Sequence, residues 1–184
     1  MSPNDPETLI ALLHERSVRH GDFVLASGQR SSYYIDCRPT TMSASGQRVI
    51  GRLGLAAIGA AGWQPQTVGG LTMGADPVAY AIASASAELD RPIDAFSVRK
   101  TAKDHGTGRR IEGNFEAGMP VVIIEDVITT GGSALSAIEA VRAEGGNVVG
   151  VLAVLDRQSG GKEKIEASGV PVVALVTASE LGLT

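Results

Sequence analysis

Apolar positions recur along this chain first at helical spacing and then in short uninterrupted runs, and the two patterns alternate. Leu9, Leu12 and Leu13 follow Asn4-Asp5-Pro6-Glu7, a segment suited to a helix start with Asp5 as N-cap and Pro6 at the first helical position. Arg16 keeps the spacing, Val18 extends the apolar side, and Gly21 ends the predicted helix. Residues 23–26 and 32–36 then read as two short strands around the turn Ser27-Gly28-Gln29-Arg30. Ser43 can cap a second helix reaching about Ala61, with Val49, Ile50, Leu53 and Ala57 on one side. Its glycines at 46, 51, 54 and 59 suit a helix lying close against a sheet.

Beyond that helix, strands are predicted at residues 67–71, 93–98, 121–124, 148–155 and 172–176. Helices fall at 76–89 and 133–144. Continuous apolar strands alternating with helices predict an α/β fold with a central, mostly parallel sheet covered on both faces by helices. The N-terminal strand pair predicts a small hood, drawn mainly from about residues 1–40, and the whole of 1–184 is expected to form a single domain. Open parallel sheets bind ligands at the carboxyl ends of their strands. The loops after Leu71, Val98, Ile124 and Leu155 are therefore the places to look for chemistry.

Composition narrows the possibilities. Sixteen Lys and Arg against twenty Asp and Glu leave a net charge of −4, and there are only seven aromatics. Neither a phosphate-neutralising nor a base-stacking nucleic-acid surface is expected. One cysteine, Cys37, excludes an internal disulfide and a multi-thiolate zinc site. The first residues lack a basic and apolar leader, and the longest uncharged stretch, Leu53 to Ala75, is broken by Gln64, Pro65 and Gln66. A cytoplasmic protein with no membrane span is the expectation. Twenty-three glycines in 184 residues exceed the usual ~7%, and they cluster in loops after apolar runs, where a phosphate-handling protein needs them.

The run after the strand at 121–124 is Glu125-Asp126-Val127-Ile128-Thr129-Thr130-Gly131-Gly132-Ser133, leading into a helix. Its glycines and helix-start N–H groups suit a phosphate, with hydroxyls as further donors. The two acids would repel phosphate and suit sugar hydroxyls, directly or through a divalent cation. A sugar phosphate satisfies both halves. No Walker A loop is present, because Ala75-Asp76 follow the Gly69–Gly74 spacing in place of Lys-Ser/Thr. No Gly-x-Gly-x-x-Gly opens a helix after a strand either.

This segment resembles the phosphoribosyl-pyrophosphate (PRPP) signature of type I phosphoribosyltransferases. The resemblance implies that Glu125 and Asp126 hold the ribose 2- and 3-hydroxyls and that Val127, Ile128, Thr129, Thr130, Gly131, Gly132 and Ser133 cradle the 5-phosphate.

Residues 99–110 carry five cations (Arg99, Lys100, Lys103, Arg109, Arg110) and one anion, Asp104, with Gly106 and Gly108 as hinges. A lid of this charge suits a polyanion that must be enclosed and later released. Arg99-Lys100-x-x-Lys103-Asp104-His105-Gly106 is similar to the catalytic loop of orotate phosphoribosyltransferases. The resemblance implies that Lys103 and His105 act in catalysis and, with Arg99 and Lys100, bind PRPP. It also implies a Mg2+ cofactor, no dedicated set of metal-ligating side chains, and a homodimer in which the basic loop is shared across the interface.

Arg157 at the end of the 148–155 strand could pair bidentately with a carboxylate. The same resemblance sets Arg157 and Thr129 on orotate, brings Tyr34 and Ile35 over the base, and matches Leu71-Thr72-Met73-Gly74 to the pyrophosphate turn. Many family members have Lys at the positions of Ala26 and Met73, where Arg30 or Arg38 could substitute. The implied activity is transfer of the phosphoribosyl group from PRPP to orotate. Transfer to another nucleobase, or PRPP binding by a regulator without catalysis, are the alternatives.

Overall fold

The computed structural model describes residues 5–24, 30–101 and 110–183. Helix α1 (Asp5–Arg16) is followed by a hairpin of β1 (Val18–Val24) and β2 (Arg30–Ile35), which pair antiparallel as a separate two-stranded sheet. Short α2 (Arg38–Thr41) precedes α3 (Ala44–Ala60), whose N-cap Ser43 accepts a hydrogen bond from the Gly46 N–H. Then come β3 (Thr67–Leu71), α4 (Ala75–Ser86), β4 (Asp94–Val98), β5 (Ile111–Gly113), β6 (Pro120–Ile128), α5 (Gly132–Ala143), β7 (Asn147–Asp156), α6 (Gly161–Glu166) and β8 (Val172–Thr177).

Six strands form the main sheet in the order β5-β4-β3-β6-β7-β8, all parallel except β5 against β4. From β3 the chain moves outward to β4 and β5, returns to β6, and runs the other way to β8. The reversal falls between β3 and β6, and the crevice beyond the carboxyl ends of such a pair is where doubly wound sheets take their ligands.

Period-2 alternation within the central strands supplies two apolar layers. Val122, Ile124, Leu152 and Val154 join the core shared with Leu9, Leu13, Ile50 and Ile82 of α1, α3 and α4. Val121, Ile123, Val151 and Ala153 join the core on the other face, with Ala137, Ile138 and Val141 of α5. Both faces are dry, which is why these strands read as unbroken apolar runs.

The structure departs from the sequence expectation in several places. Val18 belongs to β1, because its backbone pairs with Ile35 instead of continuing α1. Strand β6 runs four residues past the predicted end, carrying both acids within its paired length. Three-residue β5 exists because Phe96–Val98 offer it an edge, through Phe96↔Gly113 and Val98↔Ile111. Helices α2 and α6 were not predicted, each being too short for a periodic signal. The glycines of α3 do permit close approach, mainly to another helix: a Cβ at Gly51 would strike the Ala81 carbonyl, and one at Gly54 would lie 2.8 Å from Ile82.

Strand β3 is equally confined. A Cβ on Gly70 would overlap the Ile124 carbonyl oxygen and sit 2.9 Å from the Ala75 methyl. Because backbone cannot yield as a flexible side chain can, Gly70→Ala is expected to cost about 1–3 kcal/mol. Urea denaturation should show this as a lower midpoint at an unchanged slope.

Candidate active site

Strands β3 and β6 bring two loops into contact at the switch point. The turn Thr72-Met73-Gly74 leaves β3, and the Thr72–Met73 peptide is cis. A Cβ on Gly74 would lie 2.7 Å from Asp126 Oδ1, so the backbone of this turn rests directly on the carboxylate. Asp76, in the first turn of α4, braces the turn from behind. Its Oδ2 accepts from the Thr72 hydroxyl at 2.6 Å and its Oδ1 from the Ser97 hydroxyl at 2.7 Å, with the Tyr80 hydroxyl 3.1 Å from Ser97 Oγ. Sequence reading noted Asp76 only as a helix-start residue, since no spacing rule links it to Ser97 on a different strand.

Glu125 and Asp126 are 7% and 9% exposed. Among the described residues no Lys or Arg forms an ion pair with either. Burial first, then the adjacent Asp126 charge and a hydrogen bond shared with it, push Glu125 up to about 8. Asp126 is also raised, chiefly by burial, although the Val127 N–H donates to its Oδ1 at 2.8 Å and pulls the other way. The same charges reach Cys37, whose thiol is pushed well up by burial and then by Asp126, Asp36 and Glu125. The buried pair thus resists carrying two charges at once and holds a proton more tightly than free carboxyls do.

Beyond the acids the chain turns through Thr129 and Thr130 to Gly131, whose φ of 74° is the left-handed conformation that glycine adopts without cost. Gly131 caps α5, and the first-turn N–H groups of a helix have no intrahelical acceptors, so they and the dipole favour an anion. Gly132 and Ser133 are exposed at this end. Across the sheet, the Arg157 N–H donates to the Ile128 carbonyl at 3.0 Å, which sets Arg157 beside Thr129. The Arg157 Nε is buried with no hydrogen-bond partner, and its guanidinium carbon lies 5.1 Å from the centre of the Tyr33 ring.

Sequence-predicted residues 125–133 and Arg157 therefore converge with the 72–74 turn. Arg99 and Lys100 lie just beyond β4, at the edge of a cavity of about 620 Å³ that Thr72, Met73 and Asp76 also line. Arg99 pairs with Glu112 at 3.1 Å. Arg110 turns inward, donating to the Arg99 carbonyl and to Ser136 Oγ at 3.3 Å, so it ties the two ends of the basic segment together. Lys103, His105 and Ala26 lie outside the described residues. Arg30 and Arg38 each bind an acid of their own, Asp22 at 2.7 Å and Asp36 at 2.8 Å. Tyr34 is exposed against Phe23, Ile35 points into the core, and Tyr33, which sequence reading passed over, is the hood residue that meets Arg157.

A doubly wound sheet with an acid pair, a helix-capping glycine loop and a backbone turn at its switch point defines a sugar-phosphate-handling protein. Residues 45–172 match the phosphoribosyl transferase domain family. The chain is 46% identical to the orotate phosphoribosyltransferase of Sorangium cellulosum, over 95% of this chain and 91% of that protein. It is also 46% identical to that of Mycobacterium avium, over 100% and 99%. The crystal structure of Mycobacterium tuberculosis H37Rv orotate phosphoribosyltransferase in complex with PRPP superposes with a TM-score of 0.82 at 42% identity, covering 98% of this chain and all of that one. The chain belongs to the orotate phosphoribosyltransferase family of phosphoribosyl-transferring enzymes.

The acid pair makes stability depend on pH in a definite direction. Glu125 binds its proton more tightly folded than unfolded, so the ligand-free fold gains from this group below about 4.5 and loses that gain as pH rises towards about 8. Glu125→Gln should remove this slope and be the more stable form at pH 8, as read by thermal denaturation across pH 5–8. A wild-type stability that rises through that window relative to Glu125→Gln would contradict the assignment.

Proposed function

We propose that this chain transfers the 5-phosphoribosyl group from PRPP to orotate, forming orotidine 5-monophosphate and pyrophosphate in pyrimidine (UMP) biosynthesis. The observation that carries the reading is the contact of the Gly74 turn with Asp126, beside the α5 N-terminus and within one sheet step of Arg157. Those groups match the parts of the substrates: pyrophosphate at the turn, ribose hydroxyls at the acids, 5-phosphate at the loop and a carboxylate at Arg157.

In this reading Glu125 and Asp126 accept hydrogen bonds from the ribose 2- and 3-hydroxyls, and Val127 to Ser133 enclose the 5-phosphate. Thr129 and Arg157 bind orotate, Arg157 through its planar fork. Arg99, Lys100, Lys103 and His105 bind PRPP, and Lys103 and His105 stabilise the charge that collects on the departing pyrophosphate as the ribose becomes oxocarbenium-like.

Two buried acids that no Lys or Arg among the described residues ion-pairs fit Mg2+, which takes one or two carboxylates together with substrate oxygens; Glu125 and Asp126 would hold it. When bound, such an ion neutralises charge on the leaving group. Among the described residues no cluster of three or more His, Cys, Asp or Glu side chains is arranged to hold a metal. A site completed by substrate oxygens does not need one. We read the chain as one phosphoribosyltransferase domain with its hood in about residues 1–40, working as a cytoplasmic homodimer whose basic loop serves the neighbouring site. No described helix is long and apolar enough to cross a membrane.

Purified protein with PRPP and Mg2+ should turn over orotate in preference to uracil, hypoxanthine and adenine. Turnover of a purine without turnover of orotate would overturn the substrate assignment. Lys103→Ala is expected to lower kcat by about 100- to 1,000-fold, the scale of a lost transition-state donor, with an unchanged melting temperature. Near-normal turnover in that variant would reject the catalytic role of the lid.

A further inference from the structure

Among the described residues, the hood hairpin meets Arg157 through Tyr33. Tyr33 lies in β2, opposite His20 of β1. Burial along β2 alternates so that Ser31, Tyr33 and Ile35 face the body of the protein, while Tyr34 faces outward onto Phe23 at 5.7 Å. The Ser31 hydroxyl clasps the Tyr33 backbone, donating to its carbonyl at 2.7 Å and accepting from its N–H at 3.3 Å. Tyr33 also packs against the core that contains Leu9, Ile35 and Val154. Its backbone is therefore fixed by Ser31 and its side chain rests on the core, with the Arg157 guanidinium carbon 5.1 Å from the ring centre.

That geometry suits a planar cation. The negative face of the ring attracts the guanidinium without using any of its N–H groups. The Arg157 Nε is buried and unpartnered, and a buried donor in that state is costly unless a ligand completes it. The contact thus holds the guanidinium over the ring while leaving its N–H groups unused by the ring.

We propose that Tyr33 is a positioning residue for orotate: its ring sets the plane of the Arg157 guanidinium, so that the fork meets the orotate carboxylate edge-on. The inference rests on the assignment of Arg157 to the base pocket. It makes the N-terminal hairpin part of substrate selection, acting through Arg157.

Steady-state kinetics on the full chain with Mg2+ test both steps separately. Arg157→Ala should raise the KM for orotate. Tyr33→Leu should raise it by about three- to thirty-fold, the span of a ring–guanidinium interaction, with kcat and the KM for PRPP within twofold of wild type. Tyr33→Phe, which keeps the ring face, should restore the wild-type value. In the Arg157→Ala background Tyr33→Leu should add nothing. Where Tyr33→Leu does not fold, Tyr33→Met makes the same comparison.

If Arg157→Ala raises the orotate KM while loss of the ring does not, the role of Tyr33 is overturned and the base-pocket reading stands. The role of Tyr33 is also overturned if Tyr33→Phe behaves as Tyr33→Leu, or if the two effects are additive. An orotate KM unchanged in Arg157→Ala overturns the base-pocket reading and the inference together.

Discussion

Two carboxylates lie side by side at the reversal point of the sheet, nearly excluded from water and in no ion pair with a Lys or Arg among the described residues. Such a pair opposes folding, and its neighbours are shaped by it. Gly74 is glycine where any side chain would collide with Asp126, so the turn after β3 can press its main chain against the acid. Gly70, next to the last residue of β3, lets β3 lie against β6 closely enough for that turn to reach. Cys37 sits near enough to have its thiol raised by the same charges, which ties the segment after the hairpin into the electrostatics of the site.

Charge around this centre is divided into zones. Acids occupy the middle, the N-terminal end of α5 and its glycine loop stand on one side, and Arg99 and Lys100 just after β4 stand on the other. PRPP has the matching order of groups, with hydroxyls between two phosphate ends. The cations are also divided in task. Arg110 is used up in joining the base of the segment to α5 through Ser136, and Arg99 is paired with Glu112. Lys100 stands exposed at the rim of the cavity. A count of positive residues along the chain treats these as equals, whereas only packing separates the cations that hold the segment from those left to meet a ligand.

Among the described residues, the hood meets Arg157 through the Tyr33 ring. Alternation along β2 turns Tyr33 inward and Tyr34 outward, so a shift of pairing by one residue would exchange them and remove the ring from Arg157. The register Val18↔Ile35 and His20↔Tyr33 is therefore what sets the Tyr33 ring beside Arg157.

Much of this architecture was legible in the linear order of residues. Apolar runs such as Val121-Val122-Ile123-Ile124 can satisfy themselves only between two helical layers, so they announce a buried parallel strand wherever they lie. The Glu125–Ser133 segment likewise carries its chemistry in consecutive positions, and its match to the phosphoribosyl transferases needed no fold. What lay hidden depends on partners distant in the chain. Residues 111–113 become a strand only because Phe96–Val98 present a free edge, and Val18 leaves the helix because Ile35 is there to pair with it. The Thr72–Asp76–Ser97 brace and the Tyr33–Arg157 stack join residues whose separations follow no helical or strand period. Periodicity reports which face of an element is apolar; which side chain meets which across elements is set by strand order, register and close backbone approach, and these exist only once the chain has folded.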